Sequence, residues 1–415
     1  MRLLSSAPHG GVTVGRDRPT VTTSLLTPAA TPVLADRWPD SLQLLLGEAA
    51  VDLWSAVLAP TGATLRSLRA TSVTLRTDGA ATVQYAAALV DAAGRPARDT
   101  LAATTGSRVP EGAAVVEGGG DDGPVRVGLW RWPHDPALPG LAWATSAAAV
   151  RRRLPALGLP AQDAVLRLRA YRPGRRAVVE VTAPGGRWFL KVLPPAQTPA
   201  LATRHALLAG AVPAPPVLAT TDDGVLVLPA LPGTPLRELL GGPVPWAAVD
   251  RVLDDLPAAL AGLPPVRTPL DRAAGHATVL GLVTPHLRPR LDRLARTLAD
   301  TEVGEHPVVP VHGDLYEAQL LLTGDAVTGL LDVDGAGAGH RVDDWANLLG
   351  HLAVSGAHAA CAEVTARLPV PAAQLAPRVA AVVLGLATGP FRVQQAGWPR
   401  RTEARLALAE ALLAG

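Results

Sequence analysis

At 415 residues the chain is long enough for two or three domains with sizeable cores. Hydrophobic residues make up 48% and aromatics only 3%, and 38 Lys+Arg against 36 Asp+Glu leave a net charge of +2, so bulk electrostatics gives no case for nucleic acid or an anionic membrane as partner. The single cysteine, Cys361, excludes an intramolecular disulfide and a zinc–cysteine cluster and fits a reducing cytoplasm.

Residues 1–38 read as irregular, rich in Thr, Pro and Gly. Arg2 is followed by no continuous apolar core, since His9, Gly10 and Gly11 intervene, so no signal peptide is expected. Asp40 opens a helix as a capping residue with Gln43 as its capping-box partner, and Leu42, Leu45, Leu46, Ala49, Leu53 and Leu58 give it one apolar face. From Thr64 to Tyr85 the pattern is strand-like, broken by a turn at Asp78-Gly79, and a strand over 86–90 follows or extends it. The run Gly118 to Gly123 reads as a loop, 126–130 as a short strand, and the proline-broken stretch from Trp132 to Gly140 as extended. Trp130, Trp132 and Trp143 form a packed seam in this reading, ahead of a sugar-stacking platform.

A second strand pair begins at Val165 and carries the turn Tyr171-Arg172-Pro173-Gly174-Arg175-Arg176. Between two strands, Gly174 and the cation Arg175 can cover nucleotide phosphates. Lys191 then stands inside Trp188-Phe189-Leu190-Lys191-Val192, the only lysine in a chain that otherwise writes its cations as arginine. A surface lysine tolerates replacement by arginine, so a lone survivor suggests a site that needs a compact ammonium. A helix over 201–211 and an apolar strand over 225–228 precede the stiff connector Pro229 to Gly233. Beyond Pro235 the pattern is mostly helical, interrupted by short strands over 308–334. The apolar run 379–390 is too short to span a bilayer.

The interruption holds His312-Gly313-Asp314, with Gln319 five residues after Asp314, and then Asp332 and Asp334. Phosphoryl transfer needs a cation on the nucleotide phosphates, a carboxylate near the acceptor hydroxyl and hard oxygen ligands for Mg²⁺. Lys191 fits the first need, Asp314 the second, and Gln319, Asp332 and Asp334 the third. His312 reads as a structural histidine that holds the loop; a metallohydrolase centre would require several more clustered His or Asp residues. Asp343 and Asp344 begin a helix, where they either cap backbone N–H groups or touch substrate.

The order Lys191, Ala230 to Gly233, His312-Gly313-Asp314, Gln319, Asp332 and Asp344 resembles the aminoglycoside phosphotransferase and choline kinase superfamily, from about Val165 to the C-terminus. The resemblance implies a protein-kinase-like bilobal α+β fold: a small β-rich nucleotide lobe and a larger helical lobe. It implies ATP and Mg²⁺ as cofactors, Lys191 on the phosphates, a hinge over 225–231 including Leu228 and Ala230 that receives adenine, and Asp314 as the catalytic residue. Gln in place of the family's usual Asn at 319, and some 150 residues ahead of the kinase pattern, are most similar to the maltokinase and glucosamine kinase branch, which has an N-terminal cap. The expected domains are an α/β cap over 1–155, a nucleotide lobe with hinge over 156–232 and a mostly helical catalytic lobe over 233–415. The helix after Lys191 lacks the glutamate that pairs the family's lysine.

The expected reaction is ATP-dependent phosphorylation of a hydroxyl on a small molecule; a nucleotide-binding pseudokinase acting as sensor or scaffold is the alternative from another class. Between Val311 and Gly350 the acids Asp314, Glu317, Asp325, Asp332, Asp334, Asp343 and Asp344 outnumber the lone Arg341. That surplus favours a cationic or neutral acceptor: an amino sugar or aminoglycoside-like compound ahead of a neutral polyol such as maltose. Gln394 and Trp398 supply an amide and an aromatic face to such a sugar in this reading.

Overall fold

The computed structural model describes residues 2–4, 12–13, 38–120 and 123–414. The irregular segment expected over 1–38 lies mostly outside these residues; within it, Arg2–Leu4 (β1) and Val12–Thr13 (β2) are short strands. They join Thr64–Leu75 (β3), Ala81–Val90 (β4), Pro96–Thr105 (β5), Ala114–Gly120 (β6) and Gly123–Arg131 (β7) in an antiparallel sheet of order β2-β1-β6-β7-β5-β4-β3.

Strand β4 shows why the sheet forms. Ala81, Val83, Tyr85, Ala87 and Leu89 are buried while their neighbours are not, the period of two that one covered face requires. The strand expected over 86–90 is its continuation, and Gly79, at φ +80°, makes the turn into it. The glycine run from 118 is not a loop: Gly118 pairs with Val125 and Gly120 with Gly123, so pairing with β7 overrides the weak strand preference of glycine. Asp121 and Asp122 lie outside the described residues.

The single helix expected from Asp40 is two, Asp40–Leu46 and Ala49–Leu58, bent by 62° at the joint. Gln43 does not complete a capping box; its side chain donates to the Trp38 carbonyl at 2.7 Å. Tyr85 reaches from the sheet to donate its hydroxyl to the Leu45 carbonyl at 2.7 Å. The core between helices and sheet, built on Trp54, Leu68, Val83, Tyr85 and Leu101, also takes in Val283, Phe391 and Trp398 from the C-terminal part of the chain. The N-terminal domain and the helical lobe therefore share one apolar interior.

The second sheet contains Val165–Arg172 (β8), Arg176–Ala183 (β9), Gly186–Val192 (β10), Ala219–Thr220 (β11) and Val225–Pro229 (β12), antiparallel in the order β11-β12-β10-β9-β8. Its core includes Val179, Leu190, Val225 and Val227, together with Leu138, Leu141, Trp143, Val150 and Leu154 from the segment ahead of it. Gly140 permits that approach: its N–H donates to Asp223 O at 3.0 Å, and a Cβ there would meet Val225 Cγ2 at 2.5 Å. Trp143 adds an indole donor to Asp223 at 2.8 Å.

The third region is mostly helical, around Pro269–Val283, Arg288–Asp300, Arg341–Ser355, Ala372–Leu386 and Trp398–Ala414. Together the β-rich sheet and this lobe form the bilobal α+β arrangement of a kinase-like fold, with the N-terminal domain ahead of it. Ala372–Arg392 is long and apolar enough to span a bilayer, longer than the run of 379–390 suggested, but more than half of it is buried as a core helix of this lobe.

Candidate active site

The loop His312–Asp314 leaves the strand Val308–Val311, which pairs with Gly337–His340 further on. Gly313 has φ +79°, and a Cβ there would meet Gly335 O at 2.5 Å, so only glycine fits without displacing backbone. Asp344 fixes the loop: its two carboxylate oxygens accept the N–H groups of His312 and Gly313, each at 2.8 Å, and Arg341 lies 3.4 Å from it. His312 is fully buried. Its Nε2 lies 2.8 Å from Leu331 O; a carbonyl only accepts, so Nε2 carries the proton and Nδ1 accepts the Asp314 N–H at 3.3 Å. The histidine ties this loop to the next one and is not available as a base.

The Asp314 side chain is exposed to solvent, with protein crowding around its carboxyl. Burial pushes its carboxyl above the usual aspartate range; His312 opposes the shift and nearby Asp332 adds to it.

Asp332 stands opposite, in a left-handed conformation at φ +53° that a non-glycine residue adopts at a cost. Lys191, from β10, donates to Asp332 at 2.9 Å and to Asp334 over a shorter bond. Arg176 donates to Asp334 at 3.0 Å and to Asp332 at 3.3 Å. Against the effect of burial, Lys191 and then Arg176 hold the Asp332 carboxyl well below the usual range. The lysine that lacks a glutamate on its helix is therefore paired all the same, by two aspartates from the opposite lobe.

Gln319 is buried in the short turn Glu317–Gln319, and its carbonyl accepts from Leu331 N at 2.8 Å. Asp332, Asp334 and Gln319 thus lie on joined segments and offer the hard oxygens that Mg²⁺ takes. The two carboxylates, each paired with both Lys191 and Arg176, fit a divalent ion. Among the described residues no group of three or more His, Cys, Asp or Glu could hold a metal, so a Mg²⁺ here would depend on water and phosphate oxygens for the rest of its shell.

The turn expected over the phosphates joins β8 to β9, with Gly174 at φ +68°. Its amide is already engaged: Gly174 N–H donates to the buried Asp135 at 2.7 Å, and the Tyr171 hydroxyl donates to the same oxygen at 2.9 Å. Trp130 donates to the Tyr171 hydroxyl at 3.0 Å and Trp132 packs edge-on against the Tyr171 ring at 4.7 Å. The tryptophans therefore form a seam against the second sheet, not an open platform. Arg175 is exposed at the turn. In the segment expected as a hinge, Leu228 faces Phe189 across β10–β12, and Ala230 N–H donates to Arg187 O at 2.9 Å, which prolongs the ladder.

The expected acceptor contacts are corrected by the structure. Asp343 is bonded to the buried Arg378 at 2.6 Å, and Asp344 braces the His312 loop, so both are committed inside the protein. Trp398 is 2% exposed and meets the Phe391 ring edge-on at 4.9 Å, offering no aromatic face. Gln394 lies at φ +48° with its amide nitrogen on Phe391 O at 2.6 Å. Most of the acidic surplus of 311–350 is paired through space: Glu317 with Arg237 at 2.9 Å, Asp332 and Asp334 with Lys191 and Arg176, Asp343 with Arg378 and Asp344 with Arg341. Burial lowers the affinity of the Arg172 and Arg175 guanidiniums for their protons; Arg176 and Arg392 add to both shifts and Arg108 adds to that of Arg175, so cations from all three regions of the chain gather at this turn.

Sequence reasoning missed Asp135, Arg176 and the bracing role of Asp344. Their only sequence signals were a carboxylate in a proline-broken stretch, the third arginine of a turn and the second acid of a helix start.

Several solved structures are similar to the chain. A macrolide 2'-phosphotransferase from Brachybacterium faecium is 22% identical, with a TM-score of 0.40 over 64% of this chain and 97% of its own. An aminoglycoside-3'-phosphotransferase of type VIII is 24% identical, with a TM-score of 0.43 over 57% of this chain and 98% of its own. The aminoglycoside phosphotransferase APH(4)-Ia is 15% identical, with a TM-score of 0.46 over 65% and 99%. At these values they assign no substrate and no residue role here. No curated protein sequence matches the chain. Residues 167–381, more than half of the chain, match the family described as the phosphotransferase enzyme family. The chain belongs to the phosphotransferase enzyme family, and its two lobes are those of a small-molecule kinase.

Proposed function

We propose that the protein transfers the γ-phosphoryl group of ATP to a hydroxyl of a sugar-like small molecule. The observation that carries this reading is the meeting of Lys191, Asp332 and Asp334, from two lobes, beside the exposed carboxylate Asp314. Asp314 accepts the proton of the acceptor hydroxyl as its oxygen bonds to phosphorus and the bond to ADP breaks; a carboxyl raised by burial suits a base working near neutrality. Asp344 and His312 hold that carboxylate in place. Lys191 neutralises nucleotide phosphates, and the Gly174 turn covers them. Asp332, Asp334 and Gln319 would hold Mg²⁺, which when bound neutralises charge on the phosphate oxygens.

Within this reading the acceptor is an amino sugar or aminoglycoside-like compound ahead of maltose. Support comes from Gln319 and the N-terminal domain, which resemble the glucosamine kinase and maltokinase branch; the local acidic count no longer contributes. The missing glutamate, which favoured a non-catalytic scaffold, leaves no unpaired lysine. The test is a panel of glucosamine, aminoglycosides, maltose, choline and sugar acids at fixed Mg-ATP, read by ADP release and by mass of the product. Tight ATP binding with transfer to none of them would sink the enzymatic reading.

A further inference from the structure

His205 lies on the helix Thr198–Leu208, which packs on the turn carrying Asp334; the neighbouring Arg204 donates to Ala336 O at 3.0 Å. It is 2% exposed. Its Nδ1 lies 2.7 Å from the Pro215 carbonyl, which can only accept. The proton therefore sits on Nδ1, and Nε2 is a bare lone pair. That Nε2 is buried and has no hydrogen-bond partner. The ring lies within electrostatic reach of Lys191, Asp334 and Asp332; burial disfavours the imidazolium and Lys191 adds to this, while the Pro215 carbonyl, Asp334 and Asp332 oppose it.

A buried acceptor without a donor is uncommon enough to need a reason. Lys191, within electrostatic reach of the ring, here directs two of its N–H donors at Asp332 and Asp334. Those are the carboxylates that a magnesium ion would claim. An ammonium has three N–H donors, and losing its carboxylate partners frees them. Phosphate oxygens take some, and an acceptor on the helix side takes another. A neutral imidazole supplies that acceptor without adding charge to a site already holding two carboxylates.

Resting on the proposed ATP-dependent reaction, we propose that His205 is the positioning residue for Lys191 in the nucleotide-bound state: Nε2 accepts an N–H of Lys191 once Asp332 and Asp334 turn to the metal. His205 takes the part of the glutamate that the helix lacks, with a lone pair in place of a charge.

Two variants separate the two bonds of the ring, because an Asn amide overlays Nδ1 and a Gln amide overlays Nε2. His205→Asn keeps a donor for Pro215 and removes the acceptor for Lys191. His205→Gln does the reverse. The expected results for His205→Asn are a melting temperature near wild type, and a calorimetric Kd for Mg-AMP-PNP and a KM for ATP raised roughly tenfold, the scale of one hydrogen bond to a charged group. For His205→Gln we expect a lowered melting temperature with nucleotide affinity close to wild type. Wild-type affinity in the Asn variant, or equal losses of affinity in both variants, would overturn the proposal while leaving the kinase reading intact. Failure of the wild-type protein to bind Mg-AMP-PNP would overturn both.

Discussion

Asp135 and Gly174 join the segment ahead of the second sheet to the turn expected over the phosphates: the Gly174 N–H donates to the Asp135 carboxylate at 2.7 Å. That oxygen also takes the Tyr171 hydroxyl, and the other oxygen takes Ala137 N–H at 3.0 Å. Asp135→Ala should release the turn and leave these donors without a partner. With hydrogen bonds to a charged group worth about 1.5–3 kcal/mol each, a stability loss on the order of 3 kcal/mol is expected, with a higher KM for ATP. Chemical denaturation and steady-state kinetics check it; unchanged KM would mean that the clamp does not shape the nucleotide site.

Asp344 should matter to turnover without touching substrate. Asp344→Ala leaves two buried backbone donors, His312 N and Gly313 N, with no acceptor. At about 1–3 kcal/mol for each unsatisfied group, a loss of roughly 2–6 kcal/mol is expected. The accompanying fall should be in kcat more than in the KM for ATP, because the displaced group is Asp314. A variant with wild-type kcat would remove the bracing role.

Asp314 predicts a pH profile. Its raised carboxyl must be ionised to accept a proton, so kcat falls as pH drops through a pKa above the ordinary value of about 3.9. The linkage to stability has the opposite sense. A carboxyl raised in the folded state contributes most below its unfolded pKa, and that contribution is lost as pH rises through the folded pKa. Asp314→Asn should therefore abolish transfer, retain nucleotide binding and melt at or above the wild-type temperature at pH 7. Asp332→Ala should instead weaken Mg-nucleotide binding. An Asp314→Asn protein with wild-type turnover would refute the assignment.

Lys191→Arg keeps the charge and changes its shape. The side chain is 7% exposed and its ammonium fits between two carboxylates already faced by Arg176. A planar guanidinium is bulkier there, so a loss of about tenfold or more in kcat/KM is expected, at least ~1.4 kcal/mol in the transition state. Full activity would make the lone lysine an accident of composition.

Deleting residues 1–150 should yield insoluble protein. The cut removes Trp38, Trp54 and Tyr85 from the interior that also holds Val283, Phe391 and Trp398, and takes Leu138, Leu141 and Trp143 from the nucleotide sheet. Each large aromatic lost from such a core costs about 3–5 kcal/mol in single substitutions. Soluble, fully active protein after truncation would show that the domain is separable.

The sequence alone determined the local pieces: the strand around Lys191, the glycine that lets the His312–Asp314 loop turn, and the spacing that places Gln319 and Asp332 downstream. These are legible because strand period, turn chemistry and short spacings act between near neighbours in the chain. What only the tertiary structure decided is who neutralises whom. Lys191 meets Asp332 across 141 residues, Arg176 meets it across 156, and Arg378 silences Asp343. A charge count along a segment cannot see such partners, because Coulomb energy follows distance in space and not separation in sequence. Burial has the same origin: Trp398 reads as a free aromatic until the N-terminal sheet closes over it and makes it core.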